Sequence, residues 1–238
     1  MKRPGVILYA AAFMPVVAVL AAYQLNIHAG DALEPRFVCN PYWDGCVSIS
    51  RAARSGPGLH LFRALMMPCA VLLFFGWYFV REWLAALDAA SSRSAHALFT
   101  LGAAGAAFLV VYVAWLGTDG DLYRWLRRYG VIFYFAGTGL AQLLLLRLLW
   151  PIRKMLASGR LRGPVIVLMV LVSMQWAMGV LSLAKALFLD NPDLVDRIEN
   201  VIEWLFALPM TLAFVPIAMM LGRTGFQLRY GVGRDKTS

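Results

Sequence analysis

The sequence predicts an all-α membrane protein, a bundle of six transmembrane helices forming a single domain over residues 1–238, and two observations carry this prediction. Hydrophobic residues make up 61% of the chain and charged residues 15%, with a mean hydropathy of +0.68. A soluble domain has about 45–50% apolar and about 25% charged residues, so this chain has too few charges to cover a water-soluble surface. In addition, six apolar runs reach the roughly 20 residues that cross a bilayer, where helices satisfy the backbone.

The spans follow these apolar runs, which cover about residues 5–24, 60–83, 96–116, 129–150, 164–189 and 201–221. The first run follows Lys2-Arg3, a start that a signal peptide also has, and cleavage after Ala21-Ala22 is the alternative. Its apolar part is longer than the ~7–15 residues of a signal peptide, so we expect a retained helix. The third run contains small residues at 102–107, which permit close helix contact and predict a central position. Three prolines inside spans predict kinks, namely Pro68, Pro209 and Pro216.

Lysine and arginine are divided unequally between the two sides of the predicted bundle. The loop 150–163 and both chain ends are basic, whereas most acidic residues lie in 27–59, 117–128 and 190–200. Because cytoplasmic loops carry an excess of Lys and Arg, we expect both termini in the cytoplasm and these three segments outside. The Ala, Leu and Arg content indicates a bacterial inner-membrane protein, with an endomembrane as the location if the chain is eukaryotic.

The outer loop 27–59 contains two cysteines, Cys39 and Cys46. Disulfides persist on the non-cytoplasmic side of a membrane, so we expect these two to pair, with two unpaired thiols as the alternative. Cys69 lies inside the second span and is expected to be a small core residue. No His or second Cys pair lies near the loop cysteines to complete a zinc site, so no metal or other cofactor is predicted.

Charged side chains near the outer ends of separate spans are expected at one depth: Arg63, Arg127, Arg128, Lys185, Glu199 and Glu203. An ionised group in a bilayer costs at least ~2.5–3.5 kcal/mol and normally faces the bundle interior or water. Arginine offers a fork of donors to phosphate oxygens, so this layer predicts a site for a lipid headgroup, with Ser48 and Ser50 in the loop above as further ligands. The alternative is that each long cation snorkels to the interface, which we prefer for Arg127, Arg128 and Lys185 taken singly.

Glu203 is short and follows the apolar pair Val201-Ile202. We therefore expect it to face the interior and to pair with a cation such as Arg63 or Lys185, whereas Glu199 is expected to be solvated. Gln142 and Gln175 lie in the middle of the fourth and fifth spans. We interpret them first as packing groups that bond across helices, and second as pocket lining.

Several function classes are excluded or left open. The net charge of +9 comes from residues at the ends of apolar runs and not from a basic face, so nucleic acid is not expected as a partner. No H-E-x-x-H, G-x-S-x-G or P-loop motif is present. A Ser/His/acid arrangement can be drawn from Ser50 and His60, but the spacing does not require it. Whether the protein is an enzyme, by acyl transfer or hydrolysis, stays open.

Three stretches carry a resemblance to a known family: 40–63 with its S-I-S and S-G-P elements, the helix 129–150, and Ile202-Glu203-Trp204. Together they resemble the damage-regulated autophagy modulator family of six-helix membrane proteins, on the branch of the Golgi factor that remodels GPI-anchor lipids. The resemblance implies a lumenal segment before the second helix, lipid handling at that leaflet, and roles for Arg63 and Glu203. Where the family often has His in the fourth helix, this chain has Arg127 or Arg128 and Gln142, which speaks against His-dependent chemistry.

Two functions from different classes are consistent with these residues. The first is binding of a phospholipid or glycolipid headgroup in an outer-leaflet pocket, as part of lipid or lipid-anchor remodelling, with membrane lipids as the partners. The second is a non-catalytic subunit that packs against another membrane protein through its small-residue helix.

Overall fold

The computed structural model describes residues 4–29, 37–152, 159–185 and 191–227. Within them the chain is all-helical, and six helices are long and apolar enough to cross a membrane, which confirms the predicted fold class. The elements are α1 (Gly5–His28), α2 (Ile49–Ala52), α3 (Gly56–Ala86), α4 (Ser92–Trp115), α5 (Asp121–Leu149), a 3-10 helix (Gly159–Leu161), α6 (Arg162–Lys185), α7 (Pro192–Leu212) and α8 (Phe214–Arg223). The last two form the sixth span.

Each predicted span overlaps one of the six long helices, but five of these helices begin before the predicted span. Helix α5 begins at Asp121 and not at residue 129, and the sixth span begins at Pro192 and not at 201. Asn191 caps α7 by accepting the backbone N–H groups of Asp193 and Leu194, and proline suits the first helical position. Apolar runs reveal only the part of a helix that lies in lipid, so polar turns beyond it are missed. Residues 186–189 of the predicted fifth span lie outside the described residues.

Helix α4 packs closely between α3 and α5, as its small residues predicted. The Cα of Gly102 lies against the ring of Trp77 on α3, and Gly105 lies against Thr138 on α5. Gly137 on α5 approaches the backbone of Leu101 in return. The absence of side chains at these positions lets the three helices come together.

The sixth span is interrupted at Ala213, between Pro209 and Pro216. Beside the break, the side-chain amide of Gln142 on α5 donates to the carbonyl of Met210 at 2.8 Å, and Gln175 donates to the Gln142 oxygen at 2.8 Å. Both glutamines are fully buried. They supply donors near the place where the prolines disturb the backbone, which is the packing role expected for them.

The bundle has two distinct ends. Gly5 lies against Ala218, so the start of α1 and the end of α8 are at the same end, which we call the terminal end. Residues 37–55, the roof, cover the opposite end, which we call the disulfide end.

Candidate functional site

The roof is closed by a disulfide between Cys39 and Cys46, which confirms the expected pairing. From α1, the hydroxyl of Tyr23 accepts the N–H of Cys39 at 3.0 Å and lies 2.8 Å from the carbonyl oxygen of Phe37. Asn26, also on α1, donates to the Ala52 carbonyl at 2.9 Å. The first helix therefore holds both ends of the roof.

Helix α7 holds the middle of the roof through three side chains on one face. Arg197 Nε donates to the Asp44 carbonyl at 3.0 Å, Asn200 to Gly45 at 2.9 Å, and Trp204 Nε1 to Val47 at 2.9 Å. Residues three and four positions apart lie on the same helix face, so the three donors match the roof carbonyls of residues 44, 45 and 47 in order. Asn200 and Trp204 are buried, so these bonds are shielded from water.

Gly45 is required at the contact between the roof and α7. Its φ of 61° lies in the left-handed region, and a Cβ there would collide with the backbone carbonyl oxygen of Arg197. Only glycine allows this conformation and this approach together.

Glu203 lies on α7 directly below the short helix α2. Ser48 begins α2, and its hydroxyl accepts the N–H of Arg51 at 3.2 Å. The Glu203 carboxylate accepts the backbone N–H groups of Ile49 and Ser50. The first N–H groups of a helix have no partner within the helix, so the carboxylate satisfies them and interacts favourably with the helix dipole.

The prediction that Glu203 pairs with Arg63 or Lys185 is therefore wrong. Arg63 donates to the carbonyls of Ala114, at 3.1 Å, and Leu116, where the end of α4 leaves acceptors free. Lys185 forms an ion pair with Glu199, which also accepts the hydroxyl of Ser182 at 3.0 Å. The expectation that Glu199 is merely solvated is also wrong.

The remaining predicted site residues separate into two groups. Arg127 donates to the carbonyls of Trp115, at 3.3 Å, and Thr118, and so neutralises the same end of α4 as Arg63. Ser50 accepts a bond from Arg54 at 3.3 Å and lies at the centre of the roof. Arg128 is exposed on α5, and Gln142 lies deep in the bundle. Gln142 therefore lies away from the roof, and Arg128 is not among the charges that act on Arg54 or Glu203.

A small cavity lies between Glu203 and the core. Its volume is about 40 Å³, and its lining includes Ile49, Tyr112, Tyr134 and Thr211. Tyr112 is 4% exposed, and its hydroxyl has no hydrogen-bond partner among the described residues. Since a water needs about 10–15 Å³ measured in this way, the cavity suits a few waters and is too small for a lipid headgroup.

Two arginines of the roof, which were not among the predicted site residues, complete the site. Arg51 and Arg54 stabilise the negative charge of Glu203, and Arg51 also lies 3.7 Å from Asp196. Desolvation and the charges of Arg127 and Arg51 lower the pKa of Arg54, although part of its side chain reaches solvent. Arginine stays charged despite such a shift, so the disulfide end has a cationic rim, which we define as Arg51 and Arg54 of the roof and Arg127 of α5.

A second cavity of about 40 Å³ lies beside the first, between α1 and α7. The two share lining residues Pro15, Val19, Ile49, Ala207 and Thr211. The second also reaches Leu20, which is 38% exposed on the lateral surface. The space below Glu203 therefore adjoins a cavity that reaches the lateral surface.

Among the described residues, no group of three His, Cys, Asp or Glu side chains is placed to hold a metal ion. No protein-family model, curated protein or solved structure matches this chain. The arrangement itself consists of a cationic rim, a rigid roof, and a carboxylate and a hydroxyl beside a small cavity.

Proposed function

We propose that this protein binds the phosphate-bearing headgroup of a phospholipid or glycolipid at its disulfide end, and that it acts in lipid or lipid-anchor remodelling as a member of the damage-regulated autophagy modulator family that it resembles. The observation that carries the proposal is the pairing of a cationic rim with Glu203 and an unpartnered buried Tyr112 hydroxyl beneath it.

In this proposal the phosphate of the headgroup binds at the cationic rim. Arg54 and Arg127 are close enough for the charge of Arg127 to lower the pKa of Arg54. Neither forms an ion pair within 4 Å with an acidic residue of the described part of the chain, whereas Arg51 has Asp196. Two mutually repelling guanidinium groups are stabilised by a shared anion, and phosphate oxygens fit their donors.

Glu203 and Tyr112 act below the phosphate. The cavity between them admits water or a single hydroxyl group but no whole headgroup. Glu203 therefore recognises a hydroxyl of the headgroup or takes up a proton from it, which are the roles of an ionisable residue inside a membrane protein.

The proposal places the disulfide end on the outer side of a bacterial inner membrane, with both chain ends in the cytoplasm. Its support is the distribution of Lys and Arg together with the disulfide, which persists outside the cytoplasm. An impermeant maleimide applied to reduced spheroplasts tests the orientation, because Cys69 is buried and only the roof cysteines can react. Labelling only after lysis would reverse the orientation.

Lipid binding is tested by native mass spectrometry of the purified protein with phosphatidylglycerol. We expect Arg54→Gln and Arg127→Gln to weaken the binding that depends on the disulfide end about fivefold each, since one arginine near a charged lipid contributes about 1 kcal/mol. Arg128→Gln is the matched control, because this exposed neighbour of Arg127 is not among the charges that act on Arg54 or Glu203. Equal losses in all three variants would mean that only diffuse charge attracts lipid, and no loss would refute the rim.

A second candidate function, that of a non-catalytic subunit, is favoured by one observation. Only 17% of the most apolar window of the fifth span is buried, against 33% or more in each of the other five spans. Exposed apolar side chains such as Val170, Met174 and Leu181 form its outer face. A stable complex with a second membrane protein in native mass spectrometry, lost on Val170→Asn substitution, would support this function.

A further inference from the structure

A groove lies between α5 and α6 at the terminal end, away from the roof. Its volume is about 1160 Å³, larger than the about 300–1,000 Å³ of a typical small-molecule site. On α5 it is lined from Leu140 to Trp150, and on α6 from Arg162 to Ser173. Most of its lining consists of leucine, isoleucine, valine and methionine side chains.

The groove has the length of one bilayer leaflet. At 1.5 Å per residue, the stretch Leu140–Trp150 measures about 15 Å, and Arg162–Ser173 measures about 16 Å. Half of the ~30 Å hydrocarbon core of a bilayer is about 15 Å. The groove therefore runs from near the middle of the membrane to its surface, where the exposed Trp150 is placed as interfacial tryptophans are.

Among the described residues that line the groove, two are charged, and both are arginines at its surface end. Arg147 is in the last turn of α5, and Arg162 begins α6. Both are exposed, and neither forms an ion pair with an acidic side chain anywhere in the residues that the structure describes. At the same end, Glu82 is already paired with Arg81. An apolar slot with two uncommitted cations at its polar end is complementary to an anionic amphiphile.

We propose that this groove binds one anionic phospholipid from the leaflet at the terminal end, with its phosphate between Arg147 and Arg162 and an acyl chain along α5 and α6. Basic sites between transmembrane helices at a membrane surface are known to hold anionic headgroups. The charge pattern favours a lipid over a helix of a partner protein, which would need acidic residues opposite the two arginines. This site is independent of the one at the roof.

The test uses the full chain in neutral detergent, delipidated and titrated with dioleoyl phosphatidylglycerol or dioleoyl phosphatidylcholine under native mass spectrometry. We expect one phosphatidylglycerol to bind this site at least about tenfold more tightly than phosphatidylcholine, since each of the two arginines contributes about fivefold. Arg147→Gln and Arg162→Gln should each weaken that binding about fivefold. Leu143→Trp, which fills the groove from α5, should prevent it.

Two control variants make the result decisive. Arg93→Gln removes an exposed arginine from the same end but outside the groove, and it should leave affinity unchanged. Arg54→Gln removes a charge from the rim, so an unchanged groove affinity in this variant separates the two lipid sites. Equal affinity for the two lipids, or an equal loss in Arg93→Gln, would overturn the proposal. So would a dimer that Leu143→Trp dissociates, because a second copy of the chain would then occupy the groove.

Discussion

The side-chain donors at the disulfide end and those at the terminal end of this bundle differ in whether they have hydrogen-bond acceptors within the described protein. At the disulfide end, Arg197, Asn200 and Trp204 donate to the roof backbone, and Arg63 and Arg127 donate to carbonyls at the end of α4. At the terminal end, the two arginines of the groove have no such partners in the described chain. Cations at the disulfide end therefore find part of their acceptors inside the protein, whereas the two groove arginines, we infer, find theirs in lipid.

This contrast has a consequence for rigidity. A loop whose backbone carbonyls are bonded to two long helices and closed by a disulfide cannot shift without losing several hydrogen bonds together. The groove at the terminal end is bounded by apolar side chains that can rotate singly, such as Leu143 and Met169. We expect the disulfide end to tolerate substitutions poorly and the terminal end to tolerate them well.

The largest effect is expected at Trp204, which is 2% exposed and bonded to the roof. Trp204→Ala should lower the free energy of unfolding by about 3–5 kcal/mol, since it leaves a cavity and an unpaired Val47 carbonyl. Trp125→Ala is the control at the same end, because Trp125 is 57% exposed. Unfolding of both variants by dodecyl sulfate in mixed micelles measures the difference. Comparable losses would show that Trp204 does not hold the roof.

A smaller and more specific effect is expected from two glycines with similar backbones. Gly45 has a φ of 61° at the roof, and Gly159 has a φ of 67° at the terminal end. Alanine at either position carries the strain of left-handed backbone, about 1–2 kcal/mol. Within the described residues, only at Gly45 would its Cβ also meet another chain segment.

We therefore expect Gly45→Ala to lower the midpoint of thermal unfolding in detergent by several degrees more than Gly159→Ala. The difference isolates the close approach between the roof and α7, because the backbone strain is common to both variants. Equal shifts would mean that the roof can move away from Arg197, and the contrast between the two ends would then disappear.

The sequence predicted the spans because lipid imposes one strong requirement, an apolar run long enough to cross it. The starts of two of those spans were predicted poorly, because the helices begin at Asp121 and Pro192, before the apolar run. Polar residues are not penalised there, so hydropathy does not reveal these turns. The disulfide was predicted because the loop 27–59 contains two of the three cysteines, and the third, Cys69, lies inside a span. The positions of the spans and the pairing of the cysteines could be predicted because they depend on residue type and spacing in the sequence.

The site was predicted only in part, and its partners explain why. Glu203 was recognised because an ionisable side chain between apolar residues is costly in a membrane and normally faces the bundle interior or a polar partner. Its partners are the backbone N–H groups of Ile49 and Ser50. Every residue except proline has such a group, so residue type does not identify which ones bind the carboxylate. Asn26 and Asn200 carried a usable signal, since they are polar side chains next to apolar runs, and both bond to the roof.

The smallest expected effect concerns the ion pair of Lys185 and Glu199, which joins α6 to α7 at the disulfide end. The Lys185 side chain is 11% exposed and that of Glu199 is 47% exposed, whereas the Arg124–Asp121 pair at the same end is 74% and 96% exposed. Screening by water weakens an ion pair, so a double-mutant cycle with Lys185→Met and Glu199→Gln should give a coupling energy of about 0.5–1 kcal/mol. The same cycle for Arg124→Met and Asp121→Asn should give about 0.3 kcal/mol or less. If both cycles gave the same coupling, the disulfide end would not shield its cations, and its difference from the terminal end would rest on the roof alone.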